Sequence, residues 1–181
     1  MIYVFLADGF EEMEALAPID ILRRAKAEVK TVGVTDSSKV VGAHKVTVKP
    51  DISVDEIKLD DDLEMIVLPG GMPGTLNLEA SDKVQKAIDF CADNGRYIAA
   101  ICAAPSILGH KGLLKGKKAT CFPGFEKDLE GADAVNELVV KDGKIITGKG
   151  AGACIEFGLK LAEVIISQEV SQNIRSGLQC K

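Results

Sequence analysis

The side chain with the most chemical promise is Cys102. It closes the apolar run Tyr97–Ile101 within Ala99-Ala100-Ile101-Cys102-Ala103-Ala104-Pro105. The small neighbours permit a sharp strand-to-helix turn, the device that presents the nucleophile in serine hydrolases. A thiol placed there faces the free N–H groups of the following helix. Those donors and the helix dipole lower a cysteine pKa and favour thiolate. Against this stands a plain reading of Cys102 as a small buried hydrophobe.

A nucleophilic cysteine needs a proton acceptor, usually His, and the chain has two histidines, His44 and His110. On one continuous helix His110 would lie roughly 12 Å along the axis from Cys102, out of direct reach. His44 sits near a predicted hairpin and would need a tertiary or intersubunit contact. That leaves a carboxyl, and Glu14 is the candidate. The turn after the first apolar run reads Asp8-Gly9-Phe10-Glu11-Glu12-Met13-Glu14. Asp8 and Glu11 have capping-box spacing, and acidic residues suit a helix N-terminus, which accounts for all three glutamates without catalysis. Alternatively, Glu14 faces Cys102 across the strand ends. Pro18 cannot donate to the Glu14 carbonyl, so the helix is expected to bend where Glu14 sits.

Two glycine-rich turns complete the candidates. Leu68-Pro69-Gly70-Gly71-Met72-Pro73-Gly74 fixes its backbone closely. It is either a tight turn or a source of bare amides for half of an anion site. Gly148-Lys149-Gly150-Ala151-Gly152-Ala153 has the outline of a dinucleotide fingerprint, but the second strand and later acidic residue of that motif are missing. Close helix–sheet packing is the better account. The five cysteines (91, 102, 121, 154 and 180) contain no C-x-x-C pair, which argues against the usual zinc spacings and a disulfide framework. No metal and no cofactor is implied.

The elements that must position these residues follow from the apolar pattern. Strands are expected at Ile2–Leu6, Val29–Val34, Met65–Leu68 and Tyr97–Ile101, with Val40–Val48 a hairpin appended to the second. Leu138–Val140 and Lys144–Thr147 flank the turn Asp142-Gly143. Helices are expected from about Phe10 to Ala25, Ser81 to Asp93 and Ala153 to Ser167, with a polar helical tail. Ile2–Leu6, Met65–Leu68 and Tyr97–Ile101 are apolar almost throughout, as strands covered on both faces are. The expected fold is therefore α/β, a mostly parallel sheet between helices, with its ligands outside the carboxyl ends of the strands.

Composition bounds the rest. At 181 residues without repeats or linkers the chain reads as one domain, 1–181. A net charge of −5 disfavours a nucleic-acid partner, since phosphate binding needs clustered basic charge. The N-terminus lacks a basic signal-peptide region, and the longest nearly apolar run, Tyr97 to Gly109, falls short of a membrane helix. Unpaired thiols suggest a reducing compartment, so a soluble cytoplasmic protein without a membrane partner is expected.

Taken together, Glu-Glu-Met-Glu after the first strand, Leu-Pro-Gly-Gly after another and Ala-Ala-Ile-Cys-Ala-Ala-Pro at the elbow resemble the DJ-1/ThiJ/PfpI superfamily, and within it the DJ-1 (Parkinson disease protein)/ThiJ branch. The similarity runs through essentially the whole chain, including Gly150, Gly152 and Glu156-Phe157. It implies a flavodoxin-like three-layer sandwich and a homodimer. By position, Cys102 would be the oxidisable nucleophile, Glu14 the acid hydrogen-bonded to its sulfur, and the amides of Gly71 and Ala103 the lining of an anion pocket. Implied activities are glutathione-independent glyoxalase or deglycase chemistry on methylglyoxal or its adducts. The alternative is a non-catalytic redox sensor or chaperone that uses oxidation of Cys102. Ala103 replaces the His that follows the nucleophile in the peptidase-like branch, which disfavours a peptidase. Many relatives carry a His where this chain has Phe122, which implies weaker glyoxalase turnover or dependence on Glu14 alone. Cys121 beside it is a candidate second redox thiol. The "thiazole biosynthesis" name attached to ThiJ relatives finds no nucleotide or thiamin-phosphate motif here.

Overall fold

The computed structural model describes residues 1–35 and 37–180. In chain order the elements are β1 (Ile2–Leu6), α1 (Glu12–Arg24), β2 (Val29–Gly33), β3 (Val40–Val41), β4 (Thr47–Val48), β5 (Ile52–Ser53) and β6 (Met65–Leu68). There follow α2 (Gly74–Ala80), α3 (Asp82–Asp93), β7 (Tyr97–Ile101), α4 (Pro105–His110), β8 (Lys118–Ala119) and β9 (Asp133–Ala134). The chain closes with β10 (Val139–Asp142), β11 (Ile145–Gly148), α5 (Cys154–Ile165) and α6 (Gln168–Gly177).

Seven strands form one sheet in the order β10-β11-β7-β6-β1-β2-β5. Every pairing in it is parallel except β10 with β11. The two-residue period of a strand sends alternate side chains to opposite faces. Phe5, Ile66, Leu68 and Ile98 pack on one face with Val84 and Ile88 of α3 and Ile107 of α4. Val4, Leu6, Val67 and Ile101 pack on the other with Ile19 and Leu22 of α1 and Phe157 and Leu161 of α5. Each such aliphatic or aromatic side chain contributes roughly 1.5–3 kcal/mol when fully buried. These two aliphatic cores are why the central strands show no alternation, and the sandwich expected from the sequence is the one observed.

The chain leaves β1 toward β2 and later returns to β6 on the other side of β1. Such a reversal opens a crevice at the carboxyl ends of the strands. The Asp8–Glu14 and Pro69–Gly74 turns both leave from there.

Several local expectations need correction. The residue that caps α1 is Glu11, whose carboxylate accepts from the Glu14 N–H at 2.8 Å. Asp8 does not cap, because Gly9 at φ +86° turns the chain away from the helix axis. The Asp8 carboxylate accepts instead from the Val41 N–H at 2.8 Å. The β3–β4 hairpin is not appended to β2; it forms a separate two-stranded sheet, and β5 occupies the edge. It straps down the first turn, with Gly9 N–H donating to Val41 O (2.7 Å) and Ala43 N–H to Phe10 O (2.8 Å). α1 runs on through Pro18 as one helix. The helix after Cys102 is only six residues long. The closing helix and the helical tail after it are as expected, with Ser167 capping α6.

Candidate active site

The β7–β11 ladder continues one residue beyond β7, where Cys102 N–H donates to Gly148 O at 2.9 Å. The backbone then reverses. Cys102 has φ +66°, a left-handed conformation that costs a non-glycine residue roughly 1–2 kcal/mol. The strain buys placement: the side chain is held partly buried at the end of the central strands rather than in the core. Gly148 lies in close packing, since a Cβ there would sit 2.8 Å from Ile101 and 2.9 Å from Phe157. This is the role expected for that glycine-rich segment.

Glu14 is 1% exposed. Its Oε2 accepts from the Gly70 N–H at 3.0 Å, and its carboxyl shares a hydrogen bond with the Cys102 thiol. Gly70 is what allows the approach. A Cβ on it would lie 2.6 Å from Glu14 Oε2 and 2.7 Å from Cys102 Cβ. Gly71, at φ +91°, aims its amide at the sulfur, as does Ala103. The structure thus brings Cys102, Glu14, Gly71 and Ala103 to one point.

The electrostatics reverse one expectation. Burial pushes the Cys102 thiol up to about 12, with the Glu14 charge and hydrogen bond acting in the same direction. The amides of Ala103 and Gly71 pull the other way and do not prevail. The dipole argument fails because α4 is short and a carboxylate sits against the sulfur. Burial likewise raises Glu14, to about 7, helped by the nearby Glu11 charge and opposed by the hydrogen bonds from Cys102 and Gly70. At neutral pH the resting pair is a thiol hydrogen-bonded to a carboxyl that is itself close to half-ionised.

Neither histidine joins the pair. His44 Nδ1 lies 2.9 Å from Glu12 Oε2, while Glu12 Oε1 accepts from His44 N–H at 2.7 Å. Glu12 thereby ties α1 to the hairpin. His110 Nδ1 lies 2.6 Å from Glu79 Oε1. Glu11, Glu12 and His44 do present ligand atoms within 4.8 Å of one another, but these atoms are already engaged in the cap and the hairpin clamp. Cys121 packs with the core on the α3 face, whereas Cys102 lies against the α1–α5 core. Burial pushes the Cys121 thiol up to about 11, so a partnership between the two sulfurs finds no support. A polar groove of about 890 Å³ lies over the ends of β2 and β5, lined by Asp8, Thr35, Ser53 and Asn77 among others, and contains neither Cys102 nor Glu14.

Sequence reasoning missed two parts of the site. Glu11, three residues before Glu14, has the spacing of an N-cap to the N–H that donates to it, a signal hidden by the better-known spacing of Asp8. The contact of Phe122 with Gly150, where a Cβ would lie 3.2 Å from the ring, is tertiary and left no local signal.

The DJ-1/PfpI family profile matches residues 1–164. The protein dj-1beta of Drosophila melanogaster is 36% identical over 97% of this chain and 94% of its own. Its crystal structure superposes with a TM-score of 0.94 over 99% of this chain and 97% of that one. The Arabidopsis thaliana DJ-1 homolog B is 39% identical over 93% of this chain, which spans only 38% of that longer protein. Deglycase TK1284 of Thermococcus kodakarensis is 30% identical over 83% of this chain and 90% of its own. No helix among the described residues is long and apolar enough to cross a membrane.

Proposed function

Because the chain belongs to the DJ-1/PfpI family, we propose that it is a cysteine-dependent enzyme of the glyoxalase or deglycase type, with Cys102 as nucleophile and Glu14 as its proton carrier. The observation that carries this reading is the hydrogen-bonded Glu14–Cys102 pair, its carboxyl raised to about 7. A general base works best with a pKa near the operating pH. A deglycase among the relatives supports the same class of chemistry.

In the proposed reaction the Glu14 carboxylate takes the thiol proton as sulfur bonds to the aldehyde carbon of methylglyoxal. The carbonyl oxygen gains a proton, giving a hemithioacetal. Glu14 then removes the hydrogen from that carbon and delivers a proton to the neighbouring one, while the hydroxyl proton passes to the neighbouring oxygen, leaving a thioester. Water cleaves the thioester to lactate and regenerates the thiol, so that methylglyoxal plus water become lactate. The Gly71 and Ala103 amides would stabilise negative charge at the sulfur or the adjacent oxygen. Deglycation is the same sequence begun from an adduct.

A second reading is favoured by the same convergent amides. Oxidation of Cys102 to sulfinate by two equivalents of peroxide, each reduced to water, would place an anion between two N–H donors and a protonatable carboxyl, as a redox sensor or redox-controlled chaperone requires. We further propose a homodimer. Met13 (56% exposed) and Leu16 on α1 and Ile155 on α5 are exposed apolar side chains on two helices that pack together. The free cysteines suit a reducing compartment such as the cytoplasm. Lactate formation from methylglyoxal by reduced protein is the test. Turnover lost in both Cys102→Ser and Glu14→Gln supports the enzyme; turnover no greater than that of Cys102→Ser sinks it and leaves oxidation sensing ahead.

A further inference from the structure

Phe122 is 48% exposed, yet it is tied to the nucleophile's own turn, its N–H donating to Cys102 O at 2.8 Å. Opposite it, Gly150 carries no side chain. A Cβ there would lie 3.2 Å from Phe122 Cδ2 and 4.0 Å from Glu14 Oε1. The aromatic ring and the catalytic carboxyl therefore border the same point. Neither histidine reaches this point: His44 is held by Glu12 and His110 by Glu79.

An entrance with an exposed aromatic wall beside the reacting carboxyl has a definite chemical preference. It favours apolar surface beside the reacting carbonyl. We propose that Phe122 is a specificity residue that selects 2-oxoaldehydes carrying an aromatic or bulky apolar substituent over small ones. The inference rests on the 2-oxoaldehyde reading above and adds the substrate class. The covalent steps are unchanged: sulfur adds to the aldehyde carbon, and the substituent on the neighbouring carbon lies against the Phe122 ring.

The test compares kcat and KM for methylglyoxal and phenylglyoxal in the wild type, Phe122→Ala and Phe122→Leu. The expected result is a ratio of kcat/KM, phenylglyoxal over methylglyoxal, that falls about three- to tenfold in Phe122→Ala, as loss of an aromatic pair gives. The fall should lie mainly in KM, with Phe122→Leu in between. Comparing this ratio between variants cancels the intrinsic reactivity of the aldehydes and any loss of folded protein. An unchanged ratio in Phe122→Ala, with methylglyoxal still consumed, overturns the specificity role and leaves the Cys102–Glu14 reading standing. A wild type inactive on every aldehyde removes both.

Discussion

Replacing Glu14 by Gln should remove activity and raise stability at the same time, and the size of the gain follows from the site. Gln keeps the shape, accepts the Gly70 N–H through its carbonyl, and offers an N–H₂ to the Cys102 sulfur. What disappears is a carboxyl raised from 4.5 to about 7, chiefly by burial. A folded-state pKa above the unfolded value means that the folded chain binds more protons between the two. Stability is then fully present below about 4.5 and is lost as pH rises through about 7. The whole shift corresponds to about 3 kcal/mol at ~1.4 kcal/mol per pH unit.

Urea unfolding of wild type and Glu14→Gln at intervals from pH 4.5 to 8 measures this directly. The Gln variant should gain up to about 3 kcal/mol relative to wild type across that range and hold the gain above pH 7. The corresponding rise in Tm at pH 8 is roughly 6–12 °C for a chain of this size. His44 and His110 are both raised by their carboxylate partners and so add their own slope, but it is common to both proteins and cancels in the difference. The Cys102 thiol, pushed up to about 12, stays protonated throughout. Parallel curves for the two proteins would refute the claim that burial holds the Glu14 proton.

The same carboxyl sets the pH profile of turnover: kcat/KM for methylglyoxal should rise with pH and level off above about 7 as the Glu14 base forms. A profile that keeps climbing toward pH 9 would instead point to thiol ionisation alone. Gly70→Ala should cut turnover at least about 100-fold, since misplacing reacting groups by about 1 Å costs that much and the new Cβ would fall 2.6 Å from Glu14 Oε2 and 2.7 Å from Cys102 Cβ; steady-state kinetics on folded protein decide it. Cys102→Gly should be about 1 kcal/mol more stable than Cys102→Ala, because φ +66° strains alanine but not glycine. Equal urea midpoints would mean that the turn relaxes once the sulfur is gone.

How much of this could be read from the sequence depended on whether the cause was local. The buried strands Ile2–Leu6, Met65–Leu68 and Tyr97–Ile101 were legible to the residue, because burial on both faces removes polar side chains altogether. The convergence of Glu14, Gly71, Cys102 and Ala103 was implied by the family resemblance, whereas the residues alone pointed only to the strand ends as its place. The ends of α1 were not. Gly9 at φ +86° detaches Asp8 from the helix, and nothing in the spacing of Asp8 and Glu11 reveals a turn set by tertiary contact with the β3–β4 hairpin. β5, two residues long, is too short to carry a pattern. The thiol's pKa was misjudged for a related reason. The elbow motif announces amides and a dipole, but burial outweighs them, aided by a carboxyl that arrives from another strand end 88 positions earlier in the chain.

That misjudgement bears on mechanism. A cysteine held as thiolate reacts with whatever electrophile or oxidant reaches it, whereas a protonated thiol beside a carboxyl needs its proton removed as the new bond forms. In the proposed reaction Glu14, the carboxyl against the sulfur, both removes the proton and returns it. Reactivity would thereby be coupled to a substrate that displaces the thiol–carboxyl hydrogen bond, within the close approach that Gly70 permits. The same coupling predicts that small indiscriminate alkylating agents gain less from the site than a bound 2-oxoaldehyde does. It also ties both functional readings to one quantity, the protonation of Glu14: the carboxylate serves addition and proton transfer, while the protonated acid serves a sulfinate by donating to it. A shift in that pKa would therefore move the protein between the two chemistries without any change of fold.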